Sequence, residues 1–321
     1  MATYKGIQGF AIQNVAGDPT SNEGQVWYDS ISDVFKITTF NSGGAWATGG
    51  NLGAARYLLA GAGTQTAGLA FGGYDKTIPG PTNATEEYNG SAWTAGGALT
   101  TGRYGLAGAG TQTSALAFGG NGPSAATEEY NGSSWTAGGN MGTGRGGNLG
   151  GCGTQTAGLA FAGNTDPDAT EEYNGTSWTN GGTMSTGRVA IAAAGTQTAG
   201  LAIGGNGPLT SCEEYNGSSW TNGGALPGGG LEYTAGFGIQ TAAVAALGQP
   251  PPSGQTTTIV YDGSSWTTSA NASTLRARLA AGGASPSAAG VVFGGDNNNV
   301  SQDATEEFTG PGFELKTITT S

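Results

Sequence analysis

Short apolar runs and turns alternate so evenly along this chain that strands, not helices, are the predicted elements. From residue 58 the order is LLAGAG, a polar TQT turn, AGLAFGG, a loop, TEEY, Asn89-Gly90 and SAWTAGG. Each apolar run has strand length and is bounded by Gly, Asn or Thr, which predicts an all-β fold. Gly interrupts every stretch that could carry a helical period. The Asn-Gly pair between two such runs predicts a tight hairpin. Four short strands per unit follow from this spacing.

The unit repeats. ATEEYNGSAWTAGG (84–97) returns as ATEEYNGSSWTAGG (126–139), ATEEYNGTSWTNGG (169–182) and SCEEYNGSSWTNGG (211–224). Trp46, Trp93, Trp135, Trp178, Trp220 and Trp266 are 47, 42, 43, 42 and 46 residues apart, and Phe313 is read as the Trp position of a last copy. A four-stranded unit cannot bury both faces alone, so copies must stack. Radial stacking of blades leaves only short edges.

These residues resemble the kelch motif. Gly72-Gly73, Gly119-Gly120, Gly204-Gly205 and Gly294-Gly295 end second strands. Tyr88, Tyr130, Tyr173, Tyr215 and Tyr261 lie on third strands, with Phe308 in the last copy. Arg56, Arg103, Arg145, Arg188 and either Arg276 or Arg278 precede the first strands. Two copies depart at Ala162-Gly163 and Leu247-Gly248, and the fifth unit has no Arg after Trp220. The resemblance implies a kelch-like β-propeller of four-stranded blades. Residues 51–321 supply six blades. Residues 1–50 form a divergent segment with four further strand patterns, expected to be a seventh blade. The alternative is six blades plus an N-terminal β-hairpin module that anchors the protein.

Composition agrees with turns rather than disorder: 64 Gly accompany seven Trp, and only 10% of residues are charged. The net charge of −12, with no Lys/Arg cluster, argues against nucleic acid as a partner. No apolar run has the length of a membrane span or a signal peptide, so a soluble chain without membrane insertion is expected. With no His and two Cys, serine- or cysteine-nucleophile triads and zinc sites lose their usual members. No cofactor and no metal are expected.

Several features remain as candidates for chemistry. Ten of the 13 Glu form doublets at 86–87, 128–129, 171–172, 213–214 and 306–307. Adjacent strand residues face opposite ways, so a doublet cannot flank one glycosidic bond. The expected role is structural, one Glu meeting an Arg of a neighbouring unit and the other facing solvent. Asn89, Asn131, Asn174 and Asn216 match a glycosylation sequon, but the same residues make the hairpin turn. Gln65, Gln112, Gln155 and Gln197 would ring one face. Cys152 reads as a small buried filler, and Cys212 replaces a Thr on a third strand.

The loop between second and third strands differs in every copy, and loops on a rigid scaffold concentrate binding residues. Tyr74, Asp75, Lys76, Asn121, Asn164, Asp166, Asp168, Asn206, Gln249, Asp296 and Asn297 are the candidate binding residues of that face. Of these, Asp166, Asp168, Asp296 and Asn297 have the oxygen chemistry of calcium loops, without matching a known calcium motif.

MATYKGIQGF (1–10), GDPTSNEGQVWYDSISDVFKI (17–37) and the GTQTAGLAFGG and ATEEYNGSSWT repeats also resemble structural proteins of marine tailed bacteriophages. That resemblance implies a non-enzymatic virion component of the tail or fibre. Its partners would be other virion proteins and a host-surface glycan or protein, in a symmetric multimer. A cellular kelch-type protein-interaction scaffold is the alternative. A carbohydrate-active enzyme is the third reading, and it needs carboxylates clustered at the central channel.

Overall fold

Six four-stranded sheets follow one another in the computed structural model, which describes residues 13–15, 26–29, 34–41, 44–77, 79–207, 209–248, 255–282, 289–310 and 312–318. Blade 1 contains Ala60–Thr64, Ala67–Phe71, Thr85–Tyr88 and Trp93–Ala95. Blade 2 contains Ala107–Thr111, Ser114–Phe118, Thr127–Tyr130 and Trp135–Ala137. Blade 3 contains Gly150–Thr154, Ala157–Phe161, Thr170–Tyr173 and Trp178–Asn180. Blade 4 contains Ala192–Thr196, Ala199–Ile203, Cys212–Tyr215 and Trp220–Asn222. Blade 5 contains Ala235–Ile239, Ala242–Ala246, Thr258–Tyr261 and Trp266–Thr268. Blade 6 takes Ala280–Gly282, Ala289–Phe293 and Thr305–Thr309 from one end of the unit and Ala45–Thr48 from the other. First strands of successive blades pack side by side, the sixth against the first, and so close a six-bladed propeller.

This closure corrects the seven-blade expectation. Trp46 lies opposite Phe308 in blade 6, as Trp93 lies opposite Tyr88 in blade 1. GAWATGG is therefore the outer strand of the sixth blade. Phe313 does not occupy a Trp position; it pairs with Phe40 in another sheet. That sheet belongs to a second compact unit, residues 1–44 with 310–321. In it Gln13–Val15 runs parallel to Val26–Asp29, which forms an antiparallel pair with Val34–Asn41, itself paired with Gly312–Ile318. The chain passes from one unit to the other at Gly44/Ala45 and at Thr309/Gly310.

The glycine content follows from how closely the first strands approach. A Cβ on Gly108 would lie 2.5 Å from the Phe71 ring and 2.6 Å from the Gly61 carbonyl oxygen of the preceding blade. Such distances leave no room for a side chain, so the inner ring is built backbone against backbone.

Side chains then join blade to blade in three repeating bonds. The indole of each fourth-strand Trp reaches back to the third strand of the preceding blade. Trp135 donates to Thr85 at 2.9 Å, Trp178 to Thr127 at 2.9 Å and Trp220 to Thr170 at 2.8 Å. In blade 4 Cys212 replaces that Thr and accepts from Trp266 at 3.4 Å. Each third-strand Tyr donates to the second Glu of the preceding doublet: Tyr130 to Glu87, Tyr173 to Glu129, Tyr215 to Glu172, Tyr261 to Glu214 and Tyr88 to Glu307, all at 2.6 Å. The turn Gln donates to two carbonyls of the blade before it, as Gln112 does to Gly68 and Tyr88 at 2.9 and 2.7 Å.

Burial first, and then the bond to Glu, pushes Tyr88, Tyr130, Tyr173 and Tyr215 from 10.0 up to about 12, and Tyr261 also upward. A group raised in the fold contributes stability that is full below its unfolded pKa of 10 and is lost as pH rises towards 12. Cooperative alkaline unfolding in that window is the expected result. Circular dichroism and tyrosinate absorbance should change together. Tyrosinate appearing near pH 10 with the fold intact would contradict it.

Candidate functional site

The segment that leads from each blade to the next carries the Arg. Arg56, Arg103, Arg145, Arg188 and Arg276 are buried, and each makes an ion pair with the first Glu of its own blade. The distances to Glu86, Glu128, Glu171, Glu213 and Glu306 are 2.9, 2.8, 2.7, 2.5 and 2.6 Å. The doublet is thus fully engaged, and the expectations of a neighbouring-unit Arg and a solvent-facing second Glu are corrected. Between Arg276 and Arg278, Arg276 is the blade arginine.

Just beyond these positions, and beyond Leu231 in blade 5, the lead-ins turn left-handed at Leu58, Gly105, Asn148, Ala190, Tyr233 and Arg278, with φ of 54°, 62°, 54°, 57°, 51° and 55°, and at Gly147 beside Asn148 with φ of 69°. This conformation costs a non-Gly residue on the order of 1–2 kcal/mol. It lets each lead-in turn its N–H towards the lead-in before it and its C=O towards the one after. Leu58 N–H donates to the Arg278 carbonyl at 2.8 Å, Gly105 to Leu58 at 2.8 Å and Asn148 to Gly105 at 3.2 Å. Ala190 donates to Gly147 at 3.0 Å, Tyr233 to Ala190 at 2.8 Å and Arg278 to Tyr233 at 3.0 Å. The bonds form a closed hexagon around the channel mouth. Blade 3 has one extra residue here, so Asn148 donates and Gly147 accepts.

Above this hexagon lies a basin of about 200 Å³, walled chiefly by Tyr104, Asn121, Asn148, Asn164, Tyr233 and Arg278. The Arg278 guanidinium sits 4.9 Å over the Tyr233 ring and bonds Asp296 at 3.0 Å. Tyr104 meets Tyr74 edge-on at 5.4 Å, and Tyr74 meets Tyr57 at 5.6 Å. Lys76 covers the far face of this cluster, 4.9 Å from the Tyr57 ring centre. Aromatic, amide and guanidinium groups therefore run continuously from the channel mouth outward.

The candidate loop residues distribute unevenly over this face. Asn121 and Asn164 line the basin, Asp296 orients its Arg, and Tyr74 and Lys76 extend it. Asp75 caps its own turn through the Thr77 amide and hydroxyl, both at 2.7 Å. The carbonyls of Asp166 and Asp168 accept from Ala169 and Met184, while Asn206 is exposed and its amide donates to Val189. Asn297 is half-buried in a short hairpin beside Asp296. Gln249 lies outside the described residues. Among the described residues no three Asp, Glu or Cys gather as a metal site. Tyr57, Tyr104, Asn148, Tyr233 and Arg278 are the site residues that loop divergence did not single out, because they sit in the lead-ins.

The opposite face is spent on the fold. Asn89 Oδ1 accepts from the Ser91 and Ala92 amides at 3.0 and 2.9 Å, and Asp262 does the same in blade 5. The glutamines clamp neighbouring blades and do not form a free ring of amides. Burial pushes the Cys152 thiol up to about 12, which keeps it protonated and unreactive at neutral pH. Among the described residues the channel is lined by Gly and Ala, with Cys152 and Phe237 towards one end and residues such as Leu59, Ile191 and Thr234 towards the other, and no carboxylate is among them.

No family model and no curated protein matches this chain. Among solved structures, that of YjhT matches with a TM-score of 0.62 over 84% of this chain and 99% of that chain, at 13% identity. At this identity the likeness carries the fold alone. It is a shared propeller. The virion assignment drawn from the phage resemblance finds no match in these comparisons and is withdrawn. The virion location falls with it, as do the virion-protein and host-surface partners. The non-enzymatic expectation is withdrawn as well, since the propeller fold shared with YjhT hosts many activities. Among the described residues no helix is long and apolar enough to cross a membrane.

Proposed function

We propose that the chain is a kelch-type scaffold of the cell that recognises a partner protein through its loop-and-lead-in face. The observation that carries this reading is the unequal use of polar groups on the two faces. One face spends its Asn and Gln side chains on its own turns and on neighbouring blades. The other presents Tyr104, Asn121, Asn164 and Arg278 around one basin, beneath loops that differ from blade to blade. The Gly-Gly, Tyr and Trp positions of each unit, and the left-handed φ of 65° at Gly72, support the kelch-like description.

Proximity labelling in cells tests the proposal. Replacing residues 74–83 by the shorter blade 2 loop, NGPSA, is expected to remove a defined set of labelled proteins with little change in Tm. Asn89→Asp on the opposite face, which copies Asp262, should leave that set intact. A set insensitive to the loop, or equally sensitive to both changes, would overturn the reading.

A further inference from the structure

We infer that the basin binds a carboxylate group, with Arg278 as its anchor; this deepens, and rests on, the reading of that face as the recognition surface. Arg278 is the one arginine of the six not committed to a blade glutamate. The side chain is 25% exposed, where the five blade arginines are buried. Among the described residues its guanidinium makes one hydrogen bond, from Nη1 to Asp296 Oδ2 at 3.0 Å. The Tyr233 ring fixes the guanidinium plane from one side. Both Tyr233 and Arg278 are pinned by the hexagon of backbone bonds, so the strained φ values there hold two side chains over one basin. The edge formed by Nε and Nη2 keeps the fork geometry that takes both oxygens of a carboxylate.

Charge selects the ligand class. Asp296 is 3% exposed and its Oδ1 has no protein partner, so its charge rests on Arg278. The pair is neutral within a chain of net charge −12. A dianionic phosphate would find too little positive charge, whereas a singly charged carboxylate adds one fork of hydrogen bonds. Asn121, Asn148, Asn164 and Tyr104 offer donors and acceptors to the neutral polar groups around it. At about 200 Å³ the basin is below the roughly 300–1,000 Å³ of drug-sized pockets. It fits an acidic side chain of a partner, or one small hydroxy acid.

The two sources are separated by titrating the purified chain with glucuronate and with acetyl-glycyl-aspartyl-glycinamide. Glucose and the asparaginyl peptide serve as neutral counterparts. Calorimetry and the side-chain amide NMR signals of Asn121, Asn148 and Asn164 report binding. One acidic probe should bind at least about tenfold tighter than its neutral counterpart, and Arg278→Lys should weaken it about tenfold. Preference for the peptide assigns a partner's acidic residue, and preference for glucuronate a small acid. Arg278→Ala alone would leave Asp296 buried and unpaired, so the decisive variant is the double Arg278→Leu/Asp296→Leu, which should fold and lose binding. Binding retained in that variant, inorganic phosphate binding as tightly as the acid, or no response to either acid would overturn the carboxylate site. Loss of labelled partners on loop replacement does not depend on these outcomes.

Discussion

Glu213→Ile alone is expected to destabilise the propeller by about 3–5 kcal/mol, because it strands the Arg188 guanidinium in the core. Transplanting four residues from blade 5 into blade 4 is expected to recover most of that loss. Blade 5 shows how the pair is dispensed with. Leu231 stands where the other blades have Arg, and Ile259 where they have the first Glu; both are buried in one apolar cluster. Elsewhere the second oxygen of that Glu accepts a linker amide, as Glu213 accepts Ser185 N–H at 2.7 Å. Blade 5 has Pro227 at that point, which has no N–H to leave unpaired. Elsewhere the Arg also donates to the carbonyl that ends the second strand, as Arg188 does to Gly204 at 2.9 Å. In blade 5 the Thr234 hydroxyl serves the equivalent Leu247 carbonyl at 2.9 Å. The expected rescue is therefore Arg188→Leu, Glu213→Ile, Ser185→Pro and Ile191→Thr together. Replacing only the charged pair should recover less, since it strands one amide and weakens the bonding of a carbonyl. Urea midpoints for the single, double and fourfold variants check the order. A double variant as stable as the fourfold one would show that the amide and carbonyl satisfaction is immaterial.

What the sequence made legible was everything local. Strand lengths, the four-strand unit, the Asn-Gly turn and the Arg–Glu association all follow from short-range pattern and from the phase of the Trp ladder. The closure was not legible, because Ala45–Thr48 pairs with Thr305–Thr309 across nearly the whole chain and no local pattern records that. The partner of the second Glu was encoded but easily overlooked. Blade 5 reads TIVY in place of TEEY, and the third-strand Tyr of the next blade is Phe308; the two changes match across one interface. Arg278 was recoverable by phase as well. Arg276 precedes Ala280 by the same four residues that separate Arg56 from Ala60, which leaves Arg278 unassigned to any blade. The channel-mouth basin was hidden for another reason. It is made by backbone conformation in the lead-ins, where Leu58, Tyr233 and Arg278 adopt φ values that their residue types do not announce.

The joint between blades 5 and 6 is where the ring should open first, and Trp46→Ala is expected to open it. Two of the repeating inter-blade contacts are altered there. The Tyr–Glu bond is replaced by Phe308 packed near Val260. The Phe that packs against the next Trp from blades 1, 2, 3 and 6, as Phe71 does against Trp135 at 4.9 Å, is Ala246 here, and Phe237 fills in beside Phe308 at 6.1 Å. The outer strand comes from the other end of the unit. Trp46 holds this joint: its indole donates to Thr258 Oγ1 and to the Ala270 carbonyl, both at 3.0 Å, and its ring lies 5.0 Å from Phe308. Truncating a packed Trp costs about 3–5 kcal/mol, and here the loss falls on a joint with little else to share it. Amide hydrogen exchange should therefore show Thr305–Thr309 losing protection well before the strands of blade 3. The exposed edge of Thr305–Thr309 should also make the variant associate as its concentration rises, because an unpaired strand edge templates pairing with another chain. Trp178→Ala, at the intact joint between blades 2 and 3, is the comparison. It should lower global stability while leaving blade 6 no more labile than the rest. Equal protection of blades 3 and 6 in Trp46→Ala would place the weak point of the ring elsewhere.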